Sequence, residues 1–490
     1  MNPVLAARRA GVLLHPTSLP GPGASGTLGA DAWRFVDWLA AGGFSVWQTL
    51  PLGPPDDYGS PYCLRSAYAG DAHLLDAEHL QSLRQMPRGM ECEAVGRSRM
   101  EPYRSFMALA SAEQRHEFAS FVRRWRKWLS PYGLFELCSE RFSGAPWWQW
   151  PAAFRRRDVP TLLAHLAEHR DEFRAIVFEQ YLFELQWTAL RRYANDRGVY
   201  LFGDLPFYVD RNSVEVWWDR DLFQLDADAA PIAVAGVPPD YFNADGQLWG
   251  NPLYDWEAME RSGFRWWLAR LRGQLDRFDL VRIDHFRALE SYWEVPADAP
   301  TARTGRWRQG RGDALLTTLR SELGEIPLVA EDLGIITDDV RALRDRFELP
   351  GMVVLQFAFD GSADNPHLPE NHRPNVVVYT GTHDNDTTVG WYAALDAGAR
   401  QIVHRFLGAD ETPAVPELLL DAAYASNANL AIVPMQDLLG LDSTSRMNSP
   451  GTVVGNWRWR FRWEQAPANL PATCRERAAR TGRLRRPPTR

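Results

Sequence analysis

At 490 residues, with 45% hydrophobic and 24% charged residues, the chain has the composition of an ordinary globular protein. It is long enough for one large decorated domain or two to three smaller ones. The formal charge of −8 is spread along the chain, which leaves no basic footprint for nucleic acid or an anionic membrane. Four scattered cysteines argue against a disulfide framework or a metal cluster. No apolar run reaches membrane-spanning length, and the N-terminal one is too short for a signal peptide. The cytoplasm is the expected address, for a monomer or weak homo-oligomer.

Short apolar runs are read as strands at 11–15, 44–50, 198–203, 280–284, 327–331, 353–359, 375–380 and 431–435. They are apolar on both faces, as parallel strands are, and helical patterns separate most of them. Eight such units predict an α/β chain folded as a (β/α)8 TIM barrel, with inserted subdomains on the C-terminal face of the strands. The barrel and its insertions are expected over 1–474. One insertion, at about 53–197, is helical and Trp-rich, with helices at 111–129 and 161–196. A second, at about 210–265, is a substrate-covering loop region, because GVPPDYFNADGQLWGNPLYDW has almost no periodicity. The basic, Pro-ended stretch 475–490 is expected to be a solvated or disordered tail.

Gly21, Gly23 and Gly26 spell G-x-G-x-x-G between a strand and a helix, the context of a dinucleotide site. Pro22 stiffens that turn, and the next strand ends in Gln48-Thr49-Leu50-Pro51, with no acid for a ribose hydroxyl. The glycines therefore read as turn formers, and neither a cofactor nor a metal is expected. The 21 tryptophans divide into two groups. Most are assigned to packing, but clusters in loop-like segments (147, 148 and 150; 217 and 218; 249 and 256; 266 and 267) suggest flat platforms for sugar rings.

Three late strands end in acids. Asp284 closes LVRID and lies on the same side of its strand as Arg282, whose charge is expected to lower its pKa. Glu331 follows PLVA, and Asp384 follows in THDND. Barrel active sites are built from strand C-termini, and glycosidic cleavage needs one carboxyl to attack and one to protonate the leaving oxygen. A third acid can stabilise charge developing on the ring.

The segments LLHPTSLPGPGASGTLG, WQTLPLGPPDDYGSPY, GDLPFYVDRNSVEVW, VRIDHFR, VAEDLG, THDND and GNWRWR, together with the 236–256 loop, carry a resemblance that runs nearly end to end. The chain resembles the amylomaltases, the 4-α-glucanotransferases or disproportionating enzymes of the α-amylase clan. The resemblance implies Asp284 as nucleophile, Glu331 as general acid/base and Asp384 as transition-state stabiliser. It also implies substrate-side roles for Arg282, His383, Asp204, Tyr58, Asp245, Gln247, Trp249, Asn251 and Asn456. Asp332 is expected to turn away from Glu331 by strand alternation. The implied substrates are α-1,4-glucans and maltooligosaccharides, as donor and acceptor, in a retaining double displacement. The alternatives are an α-amylase-type hydrolase and a glucan-binding protein without catalysis; the latter should lack one of the three acids.

Overall fold

The computed structural model describes residues 4–93, 95–239, 243–408 and 415–484. Its strands, in chain order, are β1 (Arg9–Leu13), β2 (Val46–Gln48), β3 (Tyr200–Leu205), β4 (Ala233–Val237), β5 (Gln247–Pro252) and β6 (Leu280–Ile283). They continue as β7 (Ser291–Pro296), β8 (Arg306–Gln309), β9 (Leu328–Ala330), β10 (Gly351–Val354), β11 (Val376–Tyr379) and β12 (Leu430–Pro434). Eight of them pair in the order β10-β11-β12-β1-β2-β3-β6-β9, and every one of those pairings is parallel. At the remaining seam, Ala330 N donates to Pro350 O at 2.8 Å, so the sheet nearly closes into a barrel. These eight strands answer one for one to the eight apolar runs. The largest discrepancy is the run 353–359, which leaves the sheet at Val354 and continues as the 3-10 turn Leu355–Phe357.

Strand alternation sorts the side chains. Phe202, Leu280, Val329, Val377, Leu430 and Ile432 share an apolar cluster inside the barrel, whereas Val12, Leu201 and Val281 belong to the larger core beneath the helices. Each fully buried side chain of this size contributes about 1.5–3 kcal/mol. Gly11 faces inward, where a Cβ would come within 2.5 Å of Ile432 Cδ1 and 2.7 Å of Val46 O; its bare backbone lets β1 fit between its neighbours. Above the apolar floor the inward residues become polar. Tyr379 Oη donates to Gln48 Oε1 at 2.9 Å, and Asp204 pairs directly across the ladder with Arg282.

The insertion between β2 and β3 is helical, as expected, and contains the long helices Ala112–Arg141 and Arg170–Asp196. Ser111 starts the first of these with a reciprocal capping box to Gln114, which satisfies N–H groups that a helix start leaves unpaired. The tryptophan clusters are largely packing: Trp147, Trp150, Trp217, Trp256, Trp266 and Trp267 are buried, and of the clustered residues only Trp249 is clearly exposed. The sugar-platform reading of the other clusters is thereby corrected.

Two further expectations change. Part of the 210–265 region is not loop but sheet, because β5-β4-β7-β8 form a separate antiparallel sheet that β4 and β5 share with β7 and β8. Residues 240–242 lie outside the described residues. The basic C-terminal stretch is ordered through 484: the helix Leu470–Arg480 docks Arg477 onto Glu417 and Asp421. Arg483 has no exposed surface and donates to the carbonyls of Arg9, Tyr424 and Ser426. A planar guanidinium can serve several carbonyls at once, so this basic residue acts as a staple rather than a solvated charge. Residues 485–490 of the expected tail lie outside the described residues. Among the described residues, no helix is long and apolar enough to cross a membrane.

Candidate active site

The three acids follow β6, β9 and β11 at the C-terminal end of the barrel. Arg282 is the hub beneath them. Its Nη2 donates to Asp284 Oδ1 at 2.8 Å, while Nη1 donates to both oxygens of Asp204 at 2.7 and 2.8 Å. Tyr62 Oη donates to Asp204 Oδ2 at 2.7 Å. Asp204 has no exposed side-chain surface and is committed to these partners. It therefore holds Arg282 in place and does not face a substrate, which differs from the role its resemblance implied.

Asp284 retains 29% of its side-chain exposure, enough for its carboxylate to meet an atom of a bound molecule. Burial raises its pKa above the ordinary 3.8, against the pull of Arg282. The expected lowering is overturned because burial outweighs the pull of Arg282, and the negative charge of Asp204, which has already claimed half of the guanidinium, adds to it. Glu331 is pushed up to about 7, first by burial and then by the Asp284 charge, although two backbone N–H groups favour its ionised form. Those donors are His285 N, at 2.7 Å from Oε2, and Leu333 N, at 3.0 Å from Oε1. His285 reaches its carboxylate through a left-handed backbone, φ 48°, a strained conformation for a residue with a side chain. Asp284 touches Arg282 directly and Glu331 does not, so the pair keeps its proton on Glu331.

Asp332 turns outward as expected. Its carboxylate pairs with Arg344 and accepts from Met352 N. Asp384 stands more openly, with 48% of its side chain exposed. Asn448 Nδ2 donates to its Oδ1 at 2.7 Å, and Arg446 donates to its backbone carbonyl. His383 stacks on Tyr62, with ring centroids 5.1 Å apart, and Trp457 leans on both rings. This aromatic wall stands beside the carboxylates.

The other expected substrate contacts divide. Trp249 packs edge-on against His285 at 4.7 Å, leaving 38% of itself exposed beside the residue that follows Asp284. Gln247 accepts from the Trp249 indole, and Asn251 donates to Val209 O, so both brace β5. Asp245 pairs with Arg303. Tyr58 is 60% exposed on the turn that leads to Tyr62. Asn456 is folded into its own loop, accepting from Ser449 N and donating to Thr452 O; its neighbour Trp457 faces the site instead. Tyr62, Asn448, Arg446 and Trp457 were not singled out from sequence, although Tyr62 and Trp457 lie inside quoted motifs. The glycine turn presents carbonyls rather than N–H groups: Arg460 donates to the oxygens of Leu19, Gly21 and Gly23, an arrangement unsuited to phosphate.

A nearly closed β/α barrel with a charged and a protonable carboxyl at its mouth defines an enzyme of the glycoside-cleaving kind. The comparisons narrow that class. A family model described as 4-alpha-glucanotransferase matches residues 14–466. The chain is 44% identical to the 4-alpha-glucanotransferase of Thermus thermophilus, over 97% of this chain and 99% of that one. It is 42% identical to the chloroplastic/amyloplastic 4-alpha-glucanotransferase DPE1 of Arabidopsis thaliana, over 93% and 81%. The amylomaltase of Streptococcus agalactiae, solved with acarbose, superposes with a TM-score of 0.91 at 34% identity, covering 98% of this chain and 100% of that one. The chain belongs to the 4-alpha-glucanotransferase family, and its activity is that of a 4-alpha-glucanotransferase.

Proposed function

We propose that the chain transfers α-1,4-glucan segments between maltooligosaccharides by a retaining double displacement, with Asp284 as nucleophile, Glu331 as acid and base, and Asp384 as stabiliser of the charged ring. The observation that carries this reading is the contrast between two carboxyls in one pocket. Asp284 is held by Arg282 at 2.8 Å, and Glu331 is raised to about 7. An ionised carboxylate can attack the anomeric carbon while its protonated partner gives a proton to the departing glycosidic oxygen. The bond to the leaving 4-oxygen breaks as the bond from C1 to an Asp284 oxygen forms. Glu331, now ionised, takes the proton of an acceptor 4-hydroxyl, and that oxygen displaces Asp284.

Asp384, held by Asn448 and flanked by His383 at 3.4 Å yet about half exposed, supports this by offering negative charge to the ring as C1 becomes positive. The exposed face of Trp249 beside His285 supports stacking of a glucose unit and exclusion of water from the intermediate, on which transfer over hydrolysis depends. The similarity to a structure that holds acarbose supports the same cleft as the sugar site. The four cysteines are free thiols, three of them buried, which supports a reducing, cytoplasmic address.

Maltotriose alone tests the proposal. Transfer yields a ladder of longer and shorter oligomers plus glucose at a constant total of reducing ends. A rise in reducing ends without longer products would instead make the chain a hydrolase of the α-amylase type.

A further inference from the structure

Far from the barrel mouth in sequence, the helix Val159–Glu168 ends in His165-Leu166-Ala167-Glu168-His169. Residues three and four apart share a helix face, so this spacing gathers two imidazoles and a carboxylate. Their ligand atoms all lie within 4.8 Å of one another, with His169 Nε2 and Glu168 Oε2 at 3.7 Å. The two imidazole rings meet at 4.7 Å.

His165 supplies a second, independent observation. It is 4% exposed, yet neither ring nitrogen makes a well-formed hydrogen bond. A buried polar group without a partner calls for an explanation. Phe154 covers one side of the ring at 5.5 Å, and the Leu137 carbonyl lies near enough to favour its proton. A neighbouring carbonyl is the usual partner for the ring nitrogen that does not bind a metal. Arg141 lies over the Phe154 ring at 5.5 Å and opposes a cation; Glu168 offsets it.

We propose that His165, Glu168 and His169 form a binding site for a divalent cation of borderline softness, such as Zn2+. Two imidazoles and one carboxylate are a zinc-type donor set, whereas Mg2+ and Ca2+ prefer oxygen cages. Donors around a tetrahedral zinc stand about 3.4 Å apart, so small side-chain rotations would close the present spacing around an ion. The cation would fasten the end of the helix Val159–Glu168 to the start of the helix Arg170–Asp196, where His169 is the only residue between them. The site stabilises this joint and takes no part in glucan transfer. Phe154 extends the joint toward the barrel, because its carbonyl accepts from the Trp217 indole.

The test uses the full chain, freed of metal with a chelator and titrated calorimetrically with Zn2+, alongside thermal unfolding with and without the ion. The wild type should bind one Zn2+, unfold at a higher temperature when loaded, and return to its original midpoint on chelation. His169→Ala and Glu168→Gln alter accessible residues, and His165→Phe keeps the aromatic packing. Each of the three should weaken binding at least about tenfold while leaving metal-free transfer on maltotriose unchanged. Mg2+ and Ca2+ at the same concentration should not compete. The proposal is overturned if the wild type fails to bind at ~100 μM Zn2+, or if the three variants bind as tightly as it does.

Discussion

Glu331→Gln isolates the proton that the mechanism requires. The carboxyl moves from its ordinary 4.5 to about 7 in the folded chain, and at 1.36 kcal/mol per pH unit that shift is worth about 3 kcal/mol. Glu331 is only half-buried, and solvent screening reduces the figure to about 1–2 kcal/mol. Because the folded pKa lies above the unfolded one, the native state binds the proton more tightly. The wild type has this stabilisation in full below about pH 4.5 and loses it as pH rises to about 7. Glutamine cannot ionise. It satisfies only one of the two backbone donors, His285 N and Leu333 N, but that cost does not depend on pH. The midpoint of urea unfolding, followed from pH 5 to 9, should therefore favour the variant progressively between pH 5 and 7 and level off above about 8. Parallel curves for wild type and variant would mean that Glu331 is an ordinary carboxyl, and the acid–base assignment would fail with it.

Three further substitutions probe the supports around that pair. Tyr62→Phe deletes a donor to the buried Asp204 carboxylate and should lower kcat/KM by about ten- to a hundredfold, through a charged hydrogen bond worth about 1.5–3 kcal/mol; steady-state transfer kinetics would show it, mainly in kcat. Trp249→Ala should raise KM for maltotriose several-fold with a smaller change in kcat, as loss of about 1–2 kcal/mol of stacking predicts. Arg483→Ala strips buried carbonyls of their donor and should cost about 3 kcal/mol or more, seen as a lower unfolding midpoint with the active-site chemistry intact; an unchanged midpoint would restore the view of this stretch as a solvated tail.

The barrel was legible in the sequence because parallel strands buried on both faces leave continuous apolar runs, and each of the eight became a strand in the expected order. The small antiparallel sheet was not. Four consecutive residues of β5 are exposed, so Gln247-Leu248-Trp249-Gly250 show no alternation between a core and solvent. The three acids and Arg282 could be read from strand ends and alternation. Whether an acid is free or neutralised depends on register across strands, and local sequence does not contain it. Asp204 and Asp284 both look like open carboxylates after apolar runs, yet Asp204 alone lies opposite Arg282 in the ladder. The same limit explains Arg477 and Arg483, whose partners sit some 60 residues earlier in the chain and, for Arg483, also at Arg9 near its start. In isolation, a run of arginines looks solvated.

The central claim is that the Asp284 carboxylate makes a covalent bond to the sugar. An α-glucosyl fluoride bearing a second fluorine on the ring forms such an adduct faster than it is released, so the labelled peptide can be found by mass spectrometry after digestion. The account predicts one glycosyl unit per chain, on the peptide containing Asp284, and none in Asp284→Asn. A label on Asp384 or Glu331, or equal labelling of the variant, would contradict it.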